Sequence, residues 1–600
     1  METQRQKMET QNGKVRGWPL ANEYADIFNM ETQKLELRDP RVVERNWGGS
    51  ESTMYENRGK DWPLVSRDEE SGQSEKGQEA SKYIVGWRLH LISFALLLSL
   101  FMSQMESSIV STSVIAITND LGGYEKSSWV FSAYLLTYSG LLIICAKLSD
   151  IFGRKPVLVI SIVVFVAFSG ACGGSQTFIE LIMFRWVQGL GGSGIYSIAT
   201  LLFFELVPPA KWPDYTALVS AVIALSLICG PLFGGAISAH GEWRWVFYIN
   251  LPIGVFALGL VLISMPKRLQ TEPAALRAKL PWWHGFQLST LARVDVLGAL
   301  LLLGACLLLS TALQQATAGV SFTAAKVLPL LVLAGPVWIA FVVWQWFATT
   351  KRTSPEPVLP WRLFTNRVFV GLILNTYFAG TILTVCIVQL PQRFTTVNGQ
   401  SAFQAGVRLL PFGAFIPAGS VLAAILIGRA RISPLYILLA GGFLEVIGTA
   451  LLSQSSAEYH ISAAQYGYQI LAGTGVGFFN ATLVLLVPYV VDKRDLAVGT
   501  AAIAQFRLLG GAVGLAIVTT VMNRSIAPRL SEFLAPKQVD ILLESTSVLG
   551  MFSESIQSEI RSVFSYGHNL QMKALIGFAA AQVPATLLMW GKEALSVPKI

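Results

Sequence analysis

The stretch Ala146-Lys147-Leu148-Ser149-Asp150-Ile151-Phe152-Gly153-Arg154-Lys155-Pro156 is a short charged turn held between two long apolar segments. Upstream, Trp129 to Cys145 is almost free of charge, and downstream Val157 to Cys172 carries none. At about 1.5 Å rise per helical residue, each segment crosses most of a hydrocarbon core roughly 30 Å thick. The turn therefore joins two spanning helices. Gly153 permits a tight reversal, and Pro156 suits the first turn of the next helix. Lys147, Arg154 and Lys155 favour the cytoplasmic side, where basic loops are retained. Asp150 is an acid among bases, four residues before Arg154. The two can pair if the turn is helical, or the acid can cap a neighbouring helix N-terminus.

Composition extends this reading to the whole chain. Its 600 residues are 53% hydrophobic and only 14% charged, with a mean hydropathy of +0.52, which excludes an ordinary soluble enzyme. The expectation is an all-α polytopic membrane protein. The formal charge of +8 falls mostly in short loops, so it reads as a topology signal and not as a nucleic-acid surface. Cys145, Cys172, Cys229, Cys306 and Cys386 lie in or beside apolar segments without metal-type spacing. His90, His240, His284, His460 and His568 fall at span ends or in loops, so no metal or cofactor is expected.

Residues 1–88 are polar and lack a sustained apolar period, which predicts a disordered cytoplasmic tail with no cleavable signal peptide. Met-Glu-Thr-Gln recurs there at Met1, Met8 and Met30. About fourteen spans follow, near 89–110, 127–147, 156–174, 178–205, 215–238, 246–265, 295–316, 326–348, 368–390, 404–428, 434–453, 465–490, 496–522 and 571–591. They divide as six, two and six. A bundle over 89–265 and a bundle over 368–591 flank a linker, 266–367, that carries the inserted pair; 523–570 is an outer loop and 592–600 a cytoplasmic end.

Placing the N-terminus inside puts Lys147, Arg154, Lys155, Lys211, Lys267, Arg268, Arg277, Lys279, Arg293, Lys351, Arg352, Arg362, Arg367, Arg429, Arg431, Lys493 and Arg494 in cytoplasmic loops. The short outer loops hold only Lys126, Arg244 and Arg393, so both termini are expected in the cytoplasm. No Gly-x-x-x-x-Gly-Lys-Ser/Thr stretch occurs, which turns the energy source toward an ion gradient.

Charged and flexible positions inside the spans carry the chemistry. Glu106 lies in span one, where an ionised carboxyl is costly unless it faces water, a cation or a proton donor. Arg185 in span four cannot shed its proton and needs a partner in the bundle, for which Glu106 is the natural choice. Gln188 follows one turn later, ahead of Gly189, Gly191, Gly192 and Gly194. In span five, Gly230, Pro231, Gly234 and Gly235 allow bending and close packing, or are an ordinary tolerated kink. In the second half, Asn375, Tyr377, Gln389, Glu445 and Asn480 either line a cavity or satisfy interhelical bonds. Arg507, Gly510, Gly511 and Gly514 read as close-packing positions.

Several of these stretches resemble one family. The charged turn is similar to the loop between spans two and three of major facilitator transporters, with Ala146 in place of the leading Gly. Glu106-Ser107-Ser108-Ile109-Val110 resembles the Leu-Asp-x-Thr-Ile-Val stretch of fourteen-span drug:proton antiporters, with Glu for Asp. Gly230-Pro231-Leu232-Phe233-Gly234-Gly235 resembles the antiporter motif of exporting facilitators, with Ser226 in the position of its leading Gly. Trp243-Arg244-Trp245-Val246-Phe247-Tyr248-Ile249-Asn250-Leu251-Pro252-Ile253-Gly254 matches that family's stretch before span six.

The resemblance spans roughly 89–520 and is nearest to fungal efflux transporters of toxins and secondary metabolites. It implies a proton-coupled exporter of amphipathic small molecules, a monomer in the plasma membrane, and not an enzyme. Glu106 and Arg185 would couple the proton. Asp150, Gly153 and Arg154 would latch the two halves, and the Gly230–Gly235 stretch would shape the gate. An uptake or vacuolar porter for amino acids or iron chelates, or a non-transporting sensor, are the rival readings.

Overall fold

The computed structural model describes residues 84–591 except 85, 122–126, 240–241, 267–291, 318–319, 352–354, 459, 545–548 and 550–551. The expected tail thus lies outside the described residues up to residue 83, as do most of the linker before span seven and the end at 592–600.

A lipid-immersed backbone must satisfy its own polar groups, so apolar runs of span length close as helices. Six long helices come first: α1 (Trp87–Leu121), α2 (Ser127–Phe152), α3 (Arg154–Gly174), α4 (Phe178–Leu206), α5 (Trp212–Ala239) and α6 (Asn250–Ser264). The inserted pair is α7 (Val296–Thr317) and α8 (Leu328–Lys351). Then follow α9 (Arg367–Thr396), α10 (Leu410–Gly428), α11 (Pro434–Leu452), α12 (Ala464–Val490), α13 (Leu496–Leu530) and α14 (Glu554–Leu588). Local signals set the ends. Thr177 and Glu180 form a capping box at the start of α4, and Asn366 caps α9 by accepting from the Val368 N–H. Gly153, with φ of 99°, turns the chain between α2 and α3 in a conformation that a side chain would strain.

Among the described residues, thirteen helices are long and apolar enough to cross a membrane. The fourteenth, α14, carries Gln571, Lys573 and Gln582 in its apolar stretch, and both glutamines are buried where it packs on α9, α11 and α13. Large apolar side chains such as Val332, Ile339, Val343 and Ile263 stand exposed on the outside, as a lipid-facing surface requires.

The two six-helix bundles repeat one packing scheme. In the first, α1 packs on α5 and α6, α2 on α4, and α3 on α4 and α6. In the second, α9 packs on α13 and α14, α10 on α12, and α11 on α12 and α14, which is the same set shifted by eight helices. The bundles meet through α5 with α10 and α2 with α13, pairs that the same shift exchanges. This is the plan of two parallel structural repeats within one chain. The inserted α7 lies against both α2 and α13, along the seam.

The seam is shut at the end that carries the basic turns. There Ile143 and Ala146 share an apolar cluster with Ala497, Val498 and Ala501, and Trp212 meets Tyr489 edge to face at 5.2 Å. Toward the opposite end the clusters stay within one bundle each: Met105, Ile109, Phe178 and Trp243 in the first, Leu390, Phe394, Phe412 and Met572 in the second.

Span one, expected over 89–110, coincides with an apolar stretch over Trp87–Val110, and its helix α1 runs on to Leu121, which puts Glu106 well inside the helix. The outer loop expected at 523–570 is largely helical: α13 continues to Leu530, Pro536–Glu544 forms a short helix, and α14 begins at Glu554. Its polar composition hides an amphipathic pattern, since Ile526, Leu530, Leu534, Leu542, Ile560 and Phe564 bury together in one cluster.

Candidate functional site

Glu106 and Arg185 meet inside the first bundle as a salt bridge with both side chains 0% exposed. The arginine also donates to the Val130 carbonyl at 3.0 Å and to Gln188 Oε1 at 2.9 Å, and its guanidinium lies 4.6 Å from the Tyr134 ring centre. Gln188 is oriented in turn by donating to Ser169 Oγ at 2.7 Å. The other carboxylate oxygen of Glu106 accepts from Asn250 Nδ2 at 2.6 Å. Five helices, α1, α2, α3, α4 and α6, thus converge on one carboxylate and one permanent cation. Close backbone approach makes this possible: a Cβ at Gly192 would fall 2.4 Å from the Tyr134 hydroxyl, and one at Gly191 2.6 Å from the Phe165 nitrogen. Asn250 stood in the Trp-Arg-Trp stretch without a role. Its place in an apolar helix start was the signal.

That stretch holds a second contact. Trp243 is buried, and its indole donates to Asp120 Oδ2 at 3.0 Å while Arg244 pairs with the same oxygen at 2.6 Å. The hydrogen bond from Arg244, then that from Trp243, holds the Asp120 carboxyl below the usual carboxylate range. Trp245 is the exposed ring.

At the charged turn, Arg154 is buried, pairing with Asp150 at 2.6 Å and with Glu205 at 2.9 Å, and donating to Ser149 Oγ at 2.9 Å. Glu205, in the last turn of α4, was not anticipated; an acid closing an apolar span next to a basic turn was the sign. These three ion-pair members all belong to the first bundle. The tie outward runs instead through Lys147, which pairs at 2.7 Å with Glu356 in the segment before α9, and Glu356 also takes Arg293 at 2.6 Å. Burial pushes the Glu356 carboxyl up, but Lys147 and Arg293 outweigh it and hold it below its ordinary value. Arg362 joins the same end by pairing with Asp495 at 2.6 Å.

In α5, a Cβ at Gly230 would fall 2.0 Å from Ser108 Oγ, so this glycine lets α5 press on α1. The Gly234 carbonyl accepts from Ser113 of α1 at 3.4 Å. Pro231 lies within the helix between them. Gly235 has open space where a side chain would stand, so close packing is no reason for it.

The second bundle does not gather its polar positions into one site. Asn375 is buried between α9 and α14, donating to the Gly371 carbonyl at 2.8 Å and accepting from Thr586 at 3.1 Å. Gln389 donates to Thr519 of α13 at 3.2 Å. The Thr586–Asn375 and Gln389–Thr519 bonds are interhelical. Glu445 is 0% exposed in α11 with neither oxygen hydrogen-bonded, and Gln582 approaches it. Tyr377 is half-buried beside Phe378. Asn480 accepts from Arg507, whose other nitrogen donates to the Tyr196 hydroxyl of the first bundle at 3.0 Å.

Comparison with known proteins agrees with this architecture. Residues 96–515 match the family model described as Major Facilitator Superfamily. The chain is 37% identical over 532 residues to the MFS-type transporter FPY5 of Fusarium mangiferae, covering 88% of each protein. It is 27% identical over 547 residues to the efflux pump aunC of Aspergillus niger, covering 89% of this chain and 93% of that one. Among solved structures, a bacterial homolog of the human lysosomal transporter Spinster aligns with a TM-score of 0.51 at 14% identity, over 85% of this chain and all of that one, a likeness of fold alone. With a matching model over most of its length and a relative this similar end to end, the chain belongs to the Major Facilitator Superfamily and is a multi-pass membrane transporter, not an enzyme.

Proposed function

We propose that this protein exports amphipathic small molecules, toxins or secondary metabolites, in exchange for protons, as a monomer in the plasma membrane with both termini in the cytoplasm. The sealed Glu106–Arg185 pair is the observation that carries the reading. A carboxylate held by a permanent cation inside a bundle is expensive to maintain, and such groups serve translocation. A proton arriving at Glu106 neutralises the acid and frees Arg185 from its charge partner. The pair therefore has two electrostatic states, set by whether the proton is bound, and can bias the bundles between two arrangements. The bundles are closed at the basic end, and the loop charges favour the cytoplasm for that end, which supports reading this arrangement as one closed to the cytoplasm. Asp150, Gly153 and Arg154 stiffen the turn at that closed end, and the Gly230–Gly235 stretch is the surface on which α5 moves against α1. Relatives named as efflux pumps support the outward direction.

The test is dye efflux from cells carrying wild type or Glu106→Gln at matched surface expression, with and without an imposed pH gradient. The expected result is gradient-driven efflux in wild type and its loss in the variant. Full gradient-driven efflux in Glu106→Gln would move coupling elsewhere.

A further inference from the structure

The midplane of the second bundle contains a cation of a different kind. Helices α9, α12 and α13 leave a small pocket lined by Thr376, Leu383, Asn480, Ile503 and Arg507, with room of about 10 Å³, roughly that of one water. Arg507 is half-buried there, and its guanidinium reaches Asn480 on one side and the Tyr196 hydroxyl of the opposite bundle on the other. Both partners are neutral, and among the described residues no carboxylate lies within ion-pair distance of it. Arg154 and Arg185, by contrast, each hold an acid. The Thr376 hydroxyl, 2% exposed on the pocket wall, has no hydrogen-bond partner either.

An arginine keeps its charge at any physiological pH, and a cation in the membrane interior without a counter-charge is costly. The backbone holds it there. A Cβ at Gly380 would fall 2.0 Å from the Arg507 carbonyl, and one at Gly510 2.0 Å from the Tyr377 carbonyl, so α13 packs closely on α9 at Arg507 and over the next turn. The cation thus stands at a fixed place on the bundle interface, with neutral polar groups and, among the described residues, no acid around it.

We propose that Arg507, with Asn480, Tyr196 and Thr376, binds the acidic group of the transported compound, so that the substrates include amphipathic organic anions, carboxylates foremost. A carboxylate satisfies the guanidinium fork with two parallel hydrogen bonds. It takes the place of the Asn480 oxygen and the Tyr196 hydroxyl, whose amide and O–H can then donate to it, as can Thr376. Taking Tyr196 from Arg507 removes a bond between the bundles, so binding itself loosens the seam. Tyr196 also starts an aromatic row: its ring meets Tyr138 edge to face at 6.2 Å, Tyr138 stacks on Tyr134 at 5.6 Å, and Tyr134 faces Arg185. The anion site and the ion pair are therefore in packing contact.

This inference rests on the transport reading, but its test needs neither a gradient nor a direction of flux. Purified full-length protein in nanodiscs is titrated with 1-pyrenebutyrate and with neutral 1-pyrenebutanol, reading energy transfer from tryptophan to pyrene. Wild type is expected to favour the anion by about tenfold or more, the worth of a charge-assisted contact. Arg507→Gln erases that preference, Arg507→Lys keeps part of it, and Arg429→Gln, which removes an exposed charge, leaves it whole. Equal affinity of wild type for the two probes, binding of neither by monodisperse wild type, an undiminished preference in Arg507→Gln, or an equal loss of both probes there would overturn the assignment. If Arg507→Gln does not fold, Arg507→Lys decides: an unchanged preference with the guanidinium fork removed overturns the proposal. Failure of the transport reading would show elsewhere, as gradient-independent efflux, and would leave these affinities unchanged.

Discussion

The two bundles share one packing scheme but treat buried charge in opposite ways. In the first, Glu106 and Arg185 neutralise each other at zero exposure, and Asn250 and Gln188 fill in around them. In the second, Glu445 has no hydrogen bond and Arg507 has only neutral partners. Repetition of the backbone therefore fixes where helices touch, while the side chains at those contacts divide the labour. A self-contained pair can respond to a proton alone. A cation with only neutral partners is open to a counter-charge from outside the chain.

The strongest way to break this comparison is to unbalance the first bundle. Arg185→Met strands the Glu106 charge among Asn250 and apolar neighbours, and is expected to cost about 3–5 kcal/mol of stability, seen as a large drop in Tm of the detergent-purified protein. A shift of only a degree or two would mean that the pair carries little of the bundle's energy. A middle-sized effect tests the repeated contact itself. The α9–α13 contact at Gly510 corresponds to the α1–α5 contact at Gly230, but the nearest obstacle differs: a backbone carbonyl at 2.0 Å beside Gly510, and beside Gly230 a serine hydroxyl at 2.0 Å with the Ile109 backbone nitrogen behind it at 2.9 Å. Gly510→Ala should cost about 1–3 kcal/mol and Gly230→Ala less, because the hydroxyl can turn away and the backbone atom behind it stands farther off than the one beside Gly510. Equal losses in parallel thermal melts would put the two contacts on the same footing. Smaller again is Glu445→Gln, which keeps the shape, breaks no ion pair and leaves no partner stranded. It should change stability by less than about 1 kcal/mol. A loss as large as that of Arg185→Met would show that Glu445 has a charged partner after all.

Most of the fold could be read from the residues, because lipid leaves an apolar run of span length one way to satisfy its backbone. The exceptions share a cause. Residues 523–570 looked like loop since the helices there bury only one face, and a hydropathy reading averages that face with the polar one. The Glu106–Arg185 pair was legible because each charge alone is untenable in a span, so the two had to find each other. Glu205 and Asn250 were not, since an acid at a span end and an amide at a helix start each have ordinary explanations. Arg507 was read with its glycine neighbours as a packing position. Only the geometry, with Asn480 and Tyr196 around it and no acid, separates it from Arg185.

The smallest expected effect sharpens the comparison by adding a charge cluster that is neither sealed nor unpaired. Glu356 bridges Lys147 and Arg293 with its side chain 33% exposed, where water and salt screen the interaction. Its carboxyl lies below the ordinary glutamate value in the folded protein. A depressed folded value means that the stabilising contribution is complete above the ordinary carboxylate range and is lost as pH falls through the folded value. Glu356→Gln should therefore be slightly less stable than wild type at neutral pH, and the gap should close as the pH is lowered. High salt should close the same gap at neutral pH, while leaving the Arg185→Met deficit untouched, because no ions reach a pair of zero exposure. Melting curves of wild type and both variants across pH and salt decide it. A Glu356→Gln deficit that ignores both would mean that the bridge is held by packing around Lys147 and not by charge, and the tie from the basic turn to the inserted pair would then be no different in kind from the sealed pair below it.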